Sequence, residues 1–145
     1  MYRFNLQVVL DYRKLIEERL QIELSHAERS LEQAKQVLFS YERKKSSCAG
    51  ELKRIEEREI NIDTALLYRN YLKEIRIKIS EQKDAVAKLK IDADKKLEEL
   101  LKASKKKKIL EKIKEKDRAT YVMDQEKKER IIMDETGIRK YQISM

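Results

Sequence analysis

Stepping from Leu6 alternately by four and three residues, the chain is apolar at twelve of fifteen positions: Leu6, Leu10, Leu20, Leu24, Ala27, Leu31, Ala34, Leu38, Tyr41, Cys48, Leu52 and Ile55. The polar steps are Arg13, Glu17 and Lys45. A 3.5-residue repeat kept over seven heptads marks a left-handed coiled-coil seam, because an ordinary amphipathic helix of that length drifts off the repeat. A second run starts at Ala65 and continues through Tyr68, Leu72, Ile75, Ile79, Val86, Leu89, Ala93, Leu100, Ala103 and Leu110, with Gln82, Lys96 and Lys107 as its polar steps. Two places invite a shift of register. Near the N-terminus, Val9 and Ile16 offer a parallel seam around Arg13 and Glu17. Near residue 97, Leu97, Leu101, Ile109 and Ile113 form a neighbouring stripe.

The two seams do not join smoothly, and the chain has little with which to build a turn. It contains no proline and two glycines in 145 residues, where average usage gives about 7 and 10. Compact β and α/β folds need frequent Gly- and Pro-rich turns. A chain rich in Glu, Lys, Leu, Ile and Arg favours helix instead. The expected fold is therefore all-α, a long antiparallel two-helix coiled-coil hairpin forming a single elongated domain over 1–145. Helix one is expected over about 4–58 and helix two over about 63–135, roughly 80 and 110 Å long at 1.5 Å per residue. The turn is expected within 47–64. Ser46-Ser47-Cys48-Ala49-Gly50 competes with the later segment, which is preferred because Cys48, Leu52 and Ile55 continue the first seam. Asp63 or Thr64 is expected to cap the second helix. Gly137 is expected to end it, leaving a frayed C-terminal tail. Folded about residue 60, residue 4 lies beside residue 116, and everything beyond about 118 overhangs.

Such a fold offers no pocket for a small substrate, and the residues agree. One histidine (His26) and one cysteine (Cys48) cannot make a tetrahedral metal site. Gly50 and Gly137 are too isolated for a phosphate loop. Paired acids such as Glu17/Glu18 and Glu56/Glu57 read as solvated charges. No enzyme activity, cofactor, metal or small-molecule substrate is expected. A single cysteine allows no intramolecular disulfide and fits a reducing compartment. With neither a signal-peptide pattern nor a membrane span, a soluble cytoplasmic protein is expected.

The net charge of +8 is unevenly placed: residues 1–60 carry 12 basic and 11 acidic groups, and residues 61–145 carry 23 and 16. The local source is 102–118, with nine basic residues against Glu111, Glu115 and Asp117. Such a segment can meet nucleic acid, an anionic membrane or an acidic protein surface. The lysines read as projecting all round the helix, and no aromatic residues interleave them for base stacking. A protein-binding helix end is therefore favoured over nucleic acid. A nucleic-acid- or ribosome-associated protein and a homodimeric scaffold are the alternatives. Tyr41 and Tyr68 lie in the seams. Tyr71 sits at the seam edge beside Leu72, where an exposed Tyr/Leu/Ile strip would suit a protein partner.

Phe4-x-Leu6-Gln7-x-Val9-Leu10-Asp11-Tyr12-Arg13, followed by Glu17-Glu18 and a long heptad helix, resembles the opening of the FliJ family of flagellar type III export proteins. Tyr68-x-x-Tyr71-Leu72-x-x-Ile75, with Glu81-Gln82 after it, is similar to the start of that family's second helix. The small stalk proteins of virulence secretion systems look nearly the same. The resemblance implies an antiparallel coiled coil, similar to the paired terminal helices of a rotary ATPase gamma subunit. It implies a non-enzymatic stalk that binds the hexameric export ATPase and the membrane export gate protein, with export chaperones as further partners. It places the protein in the cytoplasm, peripherally associated with the membrane at the export apparatus. The ATPase-ring contact it implies would comprise Phe4, Leu6, Leu10 and Arg13 of the matched opening, together with the basic stretch Lys105, Lys106, Lys107, Lys108, Lys112 and Lys116. The export-gate or chaperone patch would comprise Leu38, Tyr41, Tyr68, Tyr71 and Ile75. The lysine run matches no family motif.

Overall fold

The computed structural model describes residues 1–58 and 61–144. Two helices, α1 (Gln7–Glu57) and α2 (Ile62–Ser144), pack against each other in an all-α hairpin. α1 runs unbroken through Ser46–Gly50, so that segment is helix rather than turn. Its last turn closes with Arg58 N–H donating to the carbonyls of Arg54 (3.2 Å) and Ile55 (3.3 Å). Glu59 and Ile60, part of the expected turn, lie outside the described residues. Asn61 caps α2, in place of the expected Asp63 or Thr64. Its Oδ1 accepts from Asp63 N–H at 3.2 Å, and its carbonyl accepts from Thr64 and Ala65 N–H. An Asn at this position satisfies a donor that the helix start leaves open. Asp63 then falls in the first turn, where the helix dipole favours a negative charge. α2 also does not stop at Gly137 but continues to Ser144. Gly137 keeps helical geometry, which costs about 1 kcal/mol relative to Ala, and Thr136 Oγ1 donates back to Ile132 O at 2.8 Å.

The chain divides into two compact units, Leu20–Leu100 and the pair Met1–Arg19 with the chain from Leu101 onward. In the first, the core is a cluster of Cys48, Leu72, Ile75 and Ile79, with Leu38, Tyr41, Leu52 and Tyr68 packed on it. Ala27, Ala34 and Ala93 are buried along the same seam. Polar ties cross it as well: Gln82 Nε2 donates to Ala34 O at 2.9 Å, Lys96 Nζ reaches Glu23 Oε2 at 3.1 Å, and Arg69 Nη2 pairs with Glu56 Oε1 at 2.6 Å nearer the turn. The helices are antiparallel, since these partners descend on α2 as they climb on α1.

The second unit has a thinner core of Phe4, Leu10 and Ala103, in which Leu10 is the one large side chain that is fully enclosed. Polar bonds accompany it. Lys107 Nζ pairs with Glu17 Oε1 at 2.8 Å, and Lys114 Nζ donates to Gln7 Oε1 at 2.7 Å. Tyr2 Oη donates to Asp117 Oδ2 at 2.9 Å, and its ring lies 5.3 Å from that of Tyr121. Every described side chain from Glu126 onward is exposed.

The register shift expected near residue 97 does not occur, since Leu97, Leu101, Ile109 and Ile113 are all exposed, and near the N-terminus Arg13 and Glu17 stay half-buried in the seam with Ile16 half-buried beside them while Val9 is exposed. The reason is chemical. Glu17 and Lys107, each a polar step in its own seam, satisfy each other across the interface, so neither helix has to rotate an apolar residue into that place.

Candidate functional site

The residues singled out from sequence fall into the two units as two groups. Phe4, Leu6, Leu10 and Arg13 share a unit with Lys105 to Lys108, Lys112 and Lys116. Their roles differ. Phe4 and Leu10 are buried and fasten the start of α1 to α2, so they shape this surface without presenting themselves to a partner. Leu6 is exposed and Arg13 half-buried. Lys105, Lys106, Lys108, Lys112 and Lys116 are exposed, whereas Lys107 turns into the seam toward Glu17.

That ion pair has a clear electrostatic signature. The hydrogen bond from Lys107 holds the Glu17 carboxyl below the usual carboxylate range, with burial opposing and Ser104 and Lys108 adding to the pull. The same bond raises Lys107 above an ordinary lysine. Lys96 is raised in the same way by its bond to Glu23. Sequence reading passed over Tyr2, whose phenol is raised by burial and by its bond to Asp117. The signal was available, because an antiparallel pairing that sets residue 4 beside 116 puts residue 2 beside 118.

Leu38, Tyr41, Tyr68, Tyr71 and Ile75 also share one unit. Leu38, Tyr41 and Tyr68 are half-buried against the apolar cluster. Ile75 is only 3% exposed, so it is core and supports the surface from beneath. Tyr71 is 42% exposed. It lines a groove of about 420 Å³ with Lys44, Ser47, Cys48, Glu51, Leu67 and Tyr68. Lys44 Nζ lies 5.9 Å from the Tyr41 ring centroid, and Arg43 lies 5.9 Å from that of Phe39. Leu67 is an exposed lining residue that the seam count missed. The 67/71 spacing, one helical turn apart, could have revealed Leu67.

The acidic side chain lining the groove is the exposed Glu51. Its carboxylate, hydrogen-bonded to the Tyr68 hydroxyl, raises that phenol. Burial first, and Glu51 second, push up the Cys48 thiol, whose Sγ lies 3.7 Å from Tyr68 O. A raised pKa and burial make this thiol an inert packing residue rather than a nucleophile. Among the described residues, no three metal-ligating side chains converge and no helix is long and apolar enough to cross a membrane. What the arrangement offers is surface: an aromatic groove in one unit and a basic, polar-tied helix pair in the other.

Three comparisons bear on this. The family model for the flagellar FliJ protein matches residues 2–145. A Chlamydia trachomatis protein described as a YscO homolog has a similar solved fold, with 24% identity, a TM-score of 0.56, and coverage of 99% of this chain and 97% of that one. No curated protein sequence matches.

Proposed function

From the premise that this chain belongs to the flagellar FliJ family, and is thus a type III export-associated protein, we propose that it acts as a coiled-coil stalk of the export apparatus. In this reading it has no catalytic role of its own. It seats on the hexameric export ATPase through the paired segments 4–13 and 105–116, and it contacts the membrane export gate or export chaperones through the Tyr68/Tyr71 groove and the Leu38/Tyr41 edge packed on the same cluster. Those contacts couple ATPase turnover to export and hold the protein at the cytoplasmic face of the membrane, peripherally attached.

The observation that carries the reading is the family match over residues 2–145. The chemistry of the two surfaces supports it. A cluster of exposed lysines on a helix pair suits a ring lined with carboxylates. Long-range attraction of that kind speeds docking and weakens with salt. An aromatic groove with an adjoining Lys44 and Arg43 suits a protein partner, since Tyr and Arg are enriched in interface hot spots.

The test is to add the protein to the cognate ATPase and follow hexamer formation and ATP turnover. Both should rise. Reversing the charges of Lys105, Lys106 and Lys108, while sparing the structural Lys107, should weaken docking at least tenfold at low salt. No effect of the wild-type chain at saturating concentration sinks the stalk reading, and unchanged affinity of the triple variant sinks the lysine assignment.

A further inference from the structure

The lysines of 101–116 do not surround α2. The fold sorts them. Lys107 and Lys114 turn into the seam, where they meet Glu17 and Gln7. Ala103, Ser104, Leu110 and Glu111 share that buried or half-buried side. The nine residues that remain besides Glu115 are Leu101, Lys102, Lys105, Lys106, Lys108, Ile109, Lys112, Ile113 and Lys116, and all are exposed. At 3.6 residues per turn they fall on one outward sector about 160° wide and about 23 Å long. Six are lysine, three are Leu or Ile, and none is acidic. Acids lie elsewhere: Glu111 toward Lys107 at 3.9 Å, Asp117 toward the Tyr2 hydroxyl at 2.9 Å, and Glu115 at the edge beside Lys108. The outward face of α1 in the same unit is mixed rather than basic, with Val8, Tyr12 and Leu15 exposed beside Asp11, Glu18 and Arg19.

We infer that this sector of α2 is a site for adsorption to an anionic phospholipid surface. The argument rests on what is interleaved with the charge. Leu101, Ile109 and Ile113 are 54%, 59% and 43% exposed among the lysines. A helix lying along a bilayer can lower such side chains into the headgroup boundary while the lysine stems lie flat and their ammonium groups reach anionic phosphates. Polybasic segments are drawn to anionic leaflets by the surface potential. Nucleic acid fits the same sector poorly. No arginine lies on it to fork onto a phosphate or a base, and no aromatic side chain lies on it to stack. The nearest aromatic, Tyr121, is half-buried against the Tyr2 ring. This proposal goes beyond the ATPase reading, and its assay contains no ATPase, so either can fail without the other.

The experiment is vesicle co-sedimentation of the full chain with phosphatidylglycerol/phosphatidylcholine vesicles and with pure phosphatidylcholine, at 50 and 300 mM salt. Binding is expected to the anionic vesicles alone and to fall steeply with salt. The variant Lys105→Glu/Lys108→Glu/Lys112→Glu should lose roughly 100-fold or more in partition, since each basic residue near an anionic surface contributes a several-fold factor. A control with the same charge change at the exposed Lys73, Lys78 and Lys90 should lose much less. Ile109→Gln/Ile113→Gln should weaken binding about 3- to 10-fold with the net charge unchanged, because apolar insertion is removed. All substitutions are at exposed helix positions, and circular dichroism checks that helix content is kept. Absence of binding to anionic vesicles at 50 mM salt overturns the proposal. So does an equal loss in the Lys73/Lys78/Lys90 control, or tighter binding to RNA that is insensitive to Ile109→Gln/Ile113→Gln.

Discussion

The two units of this chain close the same kind of seam by different means. Around Cys48, Leu72, Ile75 and Ile79 the helices are held by apolar burial, with half-buried tyrosines sealing the edge. Between residues 1–19 and the start of the other segment at Leu101, the core shrinks to Phe4, Leu10 and Ala103, and polar bonds take a larger share: Glu17 with Lys107, Gln7 with Lys114, Tyr2 with Asp117. Apolar burial is indifferent to pH and strengthened by salting-out anions. Ion pairs answer to pH and salt. The contrast teaches that one heptad pattern can carry two stabilities with different control variables.

The largest effect should come from the apolar unit. Ile75→Ala removes the most deeply buried side chain of its cluster and should cost about 2–5 kcal/mol in urea unfolding, as buried Ile-to-Ala changes do. Hydrogen exchange should rise first at the amides around Cys48 and Leu72. A cost below about 1 kcal/mol would show that the cluster collapses onto the gap, and would blur the contrast.

The intermediate effect should come from Glu17→Gln. Its folded-state pKa is depressed, so the stability it contributes is present above the unfolded carboxylate value and lost as pH falls through the folded one. Lys107 is raised, so its share holds below the ordinary lysine value and is lost only as pH climbs through the raised one. Wild-type protein should therefore lose protection at acid pH, below the usual carboxylate range, in the amides of the second unit, which holds Glu17 and Lys107. Glu17→Gln should lower the melting temperature by several degrees at pH 7 and remove that part of the acid dependence. Equal acid sensitivity of both units in the wild type breaks the comparison.

Tyr2→Phe should have the smallest effect. It keeps the ring near Tyr121 and deletes the hydroxyl bond to Asp117. Amide exchange should quicken in the first turn of α1 and around Lys114–Tyr121, with no change in the midpoint of global unfolding. A shift of the global midpoint would mean that the N-terminal contact holds far more of the fold than its exposure suggests.

The apolar seam positions were almost wholly legible in the sequence, because a 3.5-residue count needs only hydrophobicity. Its polar members were not. Counted alone, Glu17, Lys96 and Lys107 look like interruptions. Counted across the interface, two of them are partners and the third finds Glu23. A single-helix count cannot see this, which is why Val9 and the Leu101/Ile109/Ile113 stripe looked like replacement seams. The cap was missed for a related reason: Asn61, Asp63 and Thr64 are all cap formers, and only the placement of α2's first carbonyl acceptor selects Asn61. Gly137 was read as a stop because most helix-ending glycines take left-handed backbone, which this one does not. As for the candidate surfaces, the tyrosines were legible from their positions. The sorting of lysines onto one sector depended on knowing that two of them turn inward.

The bond from Gln82 to the Ala34 carbonyl has a consequence of its own. A carbonyl is offered by every residue of a helix, so a glutamine that reaches for one finds an equivalent acceptor if the strands of the coil slide past each other. That contact adds cohesion and carries no positional information. A carboxylate such as Glu17 is a unique address that a displaced lysine fails to match. The unit with the larger apolar core therefore takes its alignment from the shapes of its side chains together with Glu23–Lys96 and Glu56–Arg69, and the unit with the thinner core leans for its alignment on Glu17–Lys107.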